Sequence, residues 1–333
     1  MADRVTISDV AREAGVSLMT VSRVVNDKGE VSPATRRRVL DVVEQLGYRP
    51  SSIARGLATQ RTGTLGLVVP DIANPFFSDV ARGAEDKACA SGYNVVVCNT
   101  DESPQREAAA LESLEEKRVD GLLLCSSRLA DEDLREALDL HPSAVLVNCH
   151  LEGYEVGAIL LDDIGGAQTA TDHLLQSGHQ AVGFLAGPLA SYSSAQRSKG
   201  YRAALEVARM CYNPAWVRSC SFQVEGGRGA ARKLLTEHPE ITAFFCYNDL
   251  VAVGALQACV ELGRRVPDDL AIVGFDDIPM AALVTPALTT CRVPRYALGE
   301  QAMQLLLDRI DGCTEECEEI VLQTELVIRA SAP

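Results

Sequence analysis

The side chains best suited to holding a small ligand stand at the carboxyl ends of short apolar runs. After Leu65 to Val69 comes Pro70-Asp-Ile-Ala-Asn-Pro-Phe-Phe77, which sets Phe76 and Phe77 at a helix start. Aromatic faces there can stack on the C–H face of a sugar or on a planar base, although two aromatics in a helix serve as core about as often. A hydroxyl-rich stretch from Gly187 to Tyr201 holds Ser191, Ser193 and Arg197, and a guanidinium fork suits two adjacent ligand oxygens. Asn248 and Asp249 follow Cys246-Tyr247, and Gly274-Phe-Asp-Asp277 places Asp276 at another strand end. Buried together, Arg197 and Asp276 can satisfy each other and bind vicinal hydroxyls of a polyol; the alternative is a structural ion pair. Ser127, after the run ending at Cys125, offers a further hydroxyl.

Catalytic signatures are missing. The sequence has no GxSxG, HExxH, Walker loop or strand-borne GxGxxG, and histidines 141, 150, 173, 179 and 238 show no metal spacing. The expectation is a binding protein with no cofactor and no metal. Eleven cysteines occur singly, without a CxxC pair and mostly in apolar runs, as expected of reduced, buried thiols in a reducing compartment.

The elements that must position these residues follow from periodicity. Apolar runs at 65–69, 94–98, 121–125, 144–148, 158–161, 182–186, 243–247 and 270–275 alternate with helical stretches at 79–90, 105–117, 168–176, 229–235 and 250–262. This alternation predicts an α/β body of doubly wound parallel sheets in two lobes, with ligands at the strand ends between them. Ahead of it, residues 1–47 predict three short helices: one from Thr6 to Ala14 with a capping-box pair at Asp9, one from Ser17 to about Asn26, and one from Ser32-Pro33 to Gly47. Val10, Ala11, Ala14, Val16, Val21, Val24, Val25, Val39, Val43 and Leu46 supply their apolar faces. Residues 52–58, interrupted by Gly56, form a marginal helix that needs something to pack on.

Charge separates the two regions. The chain has a net charge of -15, yet residues 1–61 carry 10 Lys/Arg against 7 Asp/Glu and the remainder 21 against 39. Phosphate would repel the body and accept the head, confining nucleic-acid contact to one end. No run approaches the roughly 18 apolar residues of a membrane span, and Met1-Ala-Asp-Arg-Val-Thr lacks a signal-peptide apolar region, so a cytoplasmic protein without membrane contact is expected.

Thr6-Ile-Ser-Asp-Val-Ala-Arg-Glu-Ala-Gly-Val-Ser-Leu-Met-Thr-Val-Ser-Arg-Val-Val-Asn26 resembles the helix-turn-helix of the LacI/GalR family of bacterial regulators. The likeness continues through Val31-Ser-Pro-Ala-Thr-Arg36, Leu46-Gly-Tyr-Arg-Pro50, Ala54-Arg-Gly-Leu57 and the whole body. It implies a DNA-binding domain over 1–50, a hinge helix over 51–62, and a two-lobed, periplasmic-binding-protein-like effector and dimerisation domain over 63–333. Lobe 1 would span about 63–162 and 291–325, and lobe 2 about 163–290 and 326–333.

A recognition helix starting at Ser17 would turn Leu18 and Met19 toward base edges, where two apolar side chains suit thymine methyls, while Ser17, Thr20 and Ser22 reach phosphates and Arg23 reads guanine. Thr6, Asn26, Tyr48 and Ala54 complete the expected DNA face, and Leu57 matches the family's minor-groove wedge. In the body, Arg197 matches the ligand-gripping arginine and Phe222 the stacking aromatic of the second lobe. Two departures bear on the ligand: Ser191 stands where purine-responsive members carry arginine, and Val293 where many sugar-responsive members carry glutamine. The expected protein is a homodimeric repressor of carbohydrate-utilisation genes on a palindromic operator, set by a sugar-like effector; a nucleobase or a phosphoprotein partner is the alternative.

Overall fold

The computed structural model describes residues 5–26, 29, 31–49, 61–188, 190–313 and 318–333. The chain divides into two compact units, Met1–Gly63 and Thr64–Pro333. The expected hinge helix, with Ala54 and Leu57, lies outside the described residues, as does Cys317.

In the first unit, α1 spans Ile7–Ala14, α2 Leu18–Val25 and α3 Pro33–Leu46. Thr6 and Asp9 form a capping box: the Asp9 amide donates to Thr6 Oγ1 at 3.4 Å and the Thr6 amide to Asp9 Oδ2 at 3.0 Å, a cap worth about 1 kcal/mol. Gly15 and Gly47, at φ 61° and 63°, end α1 and α3 in the left-handed turns that favour glycine. Val10, Val21 and Val39 are fully buried, and Ala11, Ala14, Val24 and Val42 complete the core. Val42 takes the inward position that the periodicity gave to Val43, while Val16, Val25, Val43, Leu46 and Tyr48 pack at its edge.

The second unit contains two six-stranded sheets. The first has the order β11-β5-β4-β3-β1-β2, from β1 Thr64–Val69, β2 Asn94–Asn99, β3 Gly121–Cys125, β4 Ala144–Val147, β5 Gly157–Leu161 and β11 Glu319–Leu322, all parallel. The second has the order β12-β10-β9-β8-β6-β7, from β6 Val182–Ala186, β7 Val217–Ser219, β8 Ala243–Cys246, β9 Ala271–Asp276, β10 Thr289–Arg292 and β12 Glu325–Val327. Only β12 runs antiparallel, against β10. Interior strands such as β3, β4, β6, β8 and β9 are buried on both faces, so they read in sequence as unbroken apolar runs.

Helices α4 Pro75–Ala90, α5 Pro104–Glu116, α6 Asp131–Asp139, α7 Asp163–Gln176, α8 Tyr192–Val207, α9 Val224–Glu237, α10 Asp249–Glu261, α11 Pro279–Leu283 and α12 Arg295–Ile310 connect or cover the strands. Several start earlier than apolar periodicity suggests. Asn74 caps Pro75 at N1, and Asp162 caps a first turn holding Gly165 and Gly166, so the first turns of α4 and α7 lack the periodic signal. On α4 and α12, a Cβ on Gly83 would stand 2.1 Å from the Tyr296 carbonyl oxygen and one on Gly299 1.9 Å from that of Val80. That helix pair therefore crosses at backbone contact distance.

The chain passes between sheets after Leu161, Arg292 and Leu322. The second passage falls later than the expected boundary at 290, because Thr289–Arg292 pairs with both β9 and β12. The third falls earlier, because Glu325 already pairs with Arg292 in the second sheet. The described cysteines are all free; Cys125, Cys149, Cys246, Cys259 and Cys291 are buried, whereas Cys89, Cys211 and Cys313 are exposed, so burial is less general than the apolar runs suggest. Among the described residues no helix is long and apolar enough to cross a membrane.

Candidate functional site

The first unit presents an unusual surface on α2. Ser17 caps the helix, its Oγ accepting from the Thr20 amide at 3.2 Å and lying 2.9 Å from Thr20 Oγ1. The next two residues, Leu18 and Met19, are 51% and 66% exposed although apolar, while Val21 and Val24 face the core. Asn26 Nδ2 donates to the Ser22 carbonyl at 2.8 Å and closes the helix. Thr6 is exposed at the α1 cap and Tyr48 packs on the core edge. The helix thus displays two apolar tips flanked by hydroxyls and followed by Arg23, in a domain rich in arginine.

The second unit has a narrow cleft at the carboxyl ends of the strands of both sheets, with about 20 Å³ of free volume. Phe76, Phe77, Arg197, Phe222, Asn248 and Asp276, all expected from the sequence, line it together with Asn74, Glu102, Ser126, Arg128, Asn148 and Tyr247. Asn74 Oδ1 accepts from the Phe76 amide at 3.0 Å, and the Phe76 and Phe77 rings meet edge to face with centroids 4.9 Å apart. The choice between core and cleft for these two resolves as both, since they are buried in the main apolar cluster and also wall the cleft.

Arg197 is the organising charge. Its Nε donates to Asp163 Oδ1 at 2.8 Å, Nη1 to the Tyr247 carbonyl at 2.5 Å and Nη2 to Asp276 Oδ1 at 3.4 Å. The guanidinium lies between aromatic rings, 3.7 Å from the Phe275 centroid and 4.7 Å from that of Tyr247. Its tight carboxylate partner is therefore Asp163, which sequence reading missed, and the contact with Asp276 is long. That geometry leaves the Asp276 carboxylate with capacity for further donors. Burial pushes the Asp276 carboxyl up to about 6, with Arg197 and Arg295 opposing the shift.

Across the cleft, Arg128 donates through Nε to Glu102 at 2.6 Å and through Nη1 to the Ser126 carbonyl at 2.6 Å. Its guanidinium sits 4.9 Å from the centroid of Phe222, which follows β7 in the other sheet. Burial raises the Glu102 carboxyl despite Arg128. Asn148 Nδ2 donates to Ser193 Oγ at 2.8 Å, a second contact between the sheets, while its Oδ1 is buried without a hydrogen-bond partner. Glu102, Ser126, Asn148 and Asp276 hold positive φ of 57°, 48°, 50° and 104°. Left-handed backbone at four strand ends is strain concentrated where a ligand would sit.

Four expected effector contacts do not line the cleft. Ser127 turns inward and donates to Glu107 Oε1 at 2.5 Å, and the neighbouring Ser126 takes the cleft position. Asp249 is fully buried, accepting from Thr290 Oγ1 at 2.6 Å and the Ile278 amide at 2.8 Å, so it fastens loops. Ser191 caps α8 and lies 3.3 Å from the Tyr247 hydroxyl, and Ser193 is occupied by Asn148. The missed residues follow strands β3, β4 and β8 directly, except Asn74, Glu102 and Arg128, which need the loop geometry. Among the described residues no group of His, Cys, Asp and Glu is set to hold a metal.

Comparison with known proteins agrees with this geometry in both units. Residues 6–51 match the model of bacterial regulatory proteins of the lacI family, and residues 62–330 that of periplasmic binding proteins and the sugar binding domain of the LacI family. The ribose operon repressor of Halalkalibacterium halodurans is 38% identical over 324 residues, spanning 97% of this chain and 96% of that protein. The transcriptional repressor PurR of Haemophilus influenzae is 37% identical over 333 residues, 98% of each. The lac repressor dimer bound to operator and the anti-inducer ONPF shares the fold with a TM-score of 0.89 at 29% identity over 99% of both chains. With both domain models matched and relatives aligned over nearly its whole length, the chain belongs to the LacI family of bacterial transcriptional regulators.

Proposed function

We propose that this regulator is a homodimeric repressor whose affinity for a palindromic operator is set by a monosaccharide-sized polyol in the cleft. It works in the cytoplasm as a switch rather than an enzyme, with no cofactor. The observation that carries this reading is the convergence of Asp276 and Arg197, the Phe222 ring and the unpartnered Asn148 Oδ1 on one cleft between the two sheets. An aromatic face plus charged and neutral hydrogen-bonding groups is what a ring carrying vicinal hydroxyls requires. We assign Phe76, Phe77, Arg197, Phe222, Asn248 and Asp276 as effector contacts, with Ser126, Arg128, Asn148 and Tyr247 added. Ser17, Leu18, Met19, Thr20, Ser22 and Arg23 are assigned to the operator.

A nucleobase is the second reading, supported by the aromatic cluster of Phe222 and Tyr247, whose centroids lie 5.3 Å apart. Thermal unfolding against pentoses, hexoses, sugar acids and nucleobases separates the two, because a ligand selective for the native state raises the midpoint by mass action. A selective rise with one sugar, lost in Asp276→Ala, supports the first reading. A rise confined to a nucleobase supports the second.

A further inference from the structure

Helix α8 has two working faces. Arg197 turns toward the cleft, whereas Ala195, Ser198, Lys199 and Arg202, at the i, i+3, i+4 and i+7 spacing of one helical face, border a separate open groove of about 520 Å³. Ser194, Ser219 and Tyr212 join them along it.

The charge of this groove runs against that of the unit holding it. Residues 62–333 carry 39 acids against 21 bases, yet among the described residues no carboxylate lines the groove. Elsewhere on the same unit, Arg106, Arg218, Arg228, Arg265, Arg292, Arg295 and Arg329 each hold a carboxylate within 4 Å. Among the described residues Lys199 and Arg202 have neutral partners: Lys199 Nζ donates to Gln196 Oε1 at 3.1 Å, and Arg202 Nη2 to the Tyr212 hydroxyl at 3.2 Å with its guanidinium 4.4 Å from that ring's centroid. Another open groove, of about 400 Å³ between α5 and α6, carries Glu112, Asp133 and Glu136.

We infer that the outer groove of α8 is a second ligand site, distinct from the effector cleft, for a small phosphate monoester. Lys199 and the Arg202 fork would meet the dianion, and the Tyr212 edge borders an apolar or aromatic remainder.

The protein carries one tryptophan, Trp216, in the turn Pro214–Trp216 whose first residue lines the groove. Its fluorescence and the thermal midpoint of the full chain can be followed against phenyl phosphate, with sodium chloride at equal ionic strength as the control. The expected result is a saturable change with phenyl phosphate alone, whose midpoint concentration rises at least tenfold in Lys199→Gln/Arg202→Gln and is unchanged in Asp276→Ala. An equal response to chloride would overturn the inference, as would a response that survives the double substitution. So would loss of the response in Asp276→Ala, which would place the phosphate in the cleft. Since the effector assignment is tested by sugars and Asp276→Ala alone, the two claims fail separately.

Discussion

Asp276 shows how one residue joins strain, burial and recognition. Its carboxyl, pushed up to about 6 by burial, would titrate near 3.9 in the unfolded chain. Between those values the folded state binds the extra proton, so this group's contribution to stability falls as pH rises from about 4 to 6 and is constant above that. Comparing urea unfolding of Asp276→Asn with the parent from pH 4 to 7 is expected to show that slope reduced in the variant. Sugar hydroxyls donate best to the ionised carboxylate, so effector affinity should rise through pH 6 in the parent. The asparagine variant should lose that rise and bind on the order of 10 to 100 times more weakly, the usual worth of hydrogen bonds to a charged group. Arg128 and Glu102 provide a second test. Arg128→Met leaves the half-buried Glu102 carboxylate without its cation and is expected to lower the thermal midpoint, while adding Glu102→Gln should restore much of the loss, a coupling measurable as a double-mutant cycle. Residue-level legibility had a simple limit. Asp276 was readable as strand-end chemistry and Arg197 and Phe222 through the family resemblance, but whether Ser126 or Ser127 faces the cleft depends on a left-handed turn at Ser126 that the sequence Ser-Ser does not mark.

At the scale of elements, α2 departs from what a small core demands. A domain with so little apolar surface to spare leaves Leu18 and Met19 outside, so substituting them should cost stability little. Leu18→Ala/Met19→Ala is expected to shift the midpoint by under about 2 °C while weakening operator binding roughly tenfold or more, read by fluorescence anisotropy. Retained operator affinity would remove these two side chains from recognition. The elements most legible in sequence were the interior strands, because burial on both faces forces an unbroken apolar run. The strands β7, β10, β11 and β12 escaped notice: they are three or four residues long, sit at or near sheet edges, or carry polar residues such as Thr289-Thr290. Thr289 and Thr290 are nonetheless buried, their hydroxyls bonded to the Arg329 carbonyl and to Asp249, a form of burial that hydropathy does not reveal.

For the whole molecule, the division of net charge favours the phosphate backbone of DNA at the first unit and disfavours it over the body. Operator affinity should therefore fall steeply with salt, with a slope near 0.9 per phosphate contacted. Effector binding, which depends on buried groups, should change little over the same range, as titration calorimetry at 50 and 200 mM salt would show. In the cleft, Arg128 over Phe222 and Asn148 on Ser193 bridge the two sheets, so a ligand entering there must compete with contacts that hold the lobes together. Such a cleft has two alternative sets of contacts, which is what coupling between effector and DNA needs. The decisive measurement is operator affinity of the full chain, with and without the sugar that most raises its thermal midpoint, in the parent and in Asp276→Ala. The expected result is a change of about 5- to 150-fold in the parent and none in the variant. An unchanged operator affinity in the parent, with that sugar bound, would contradict the assignment of the cleft as the switch.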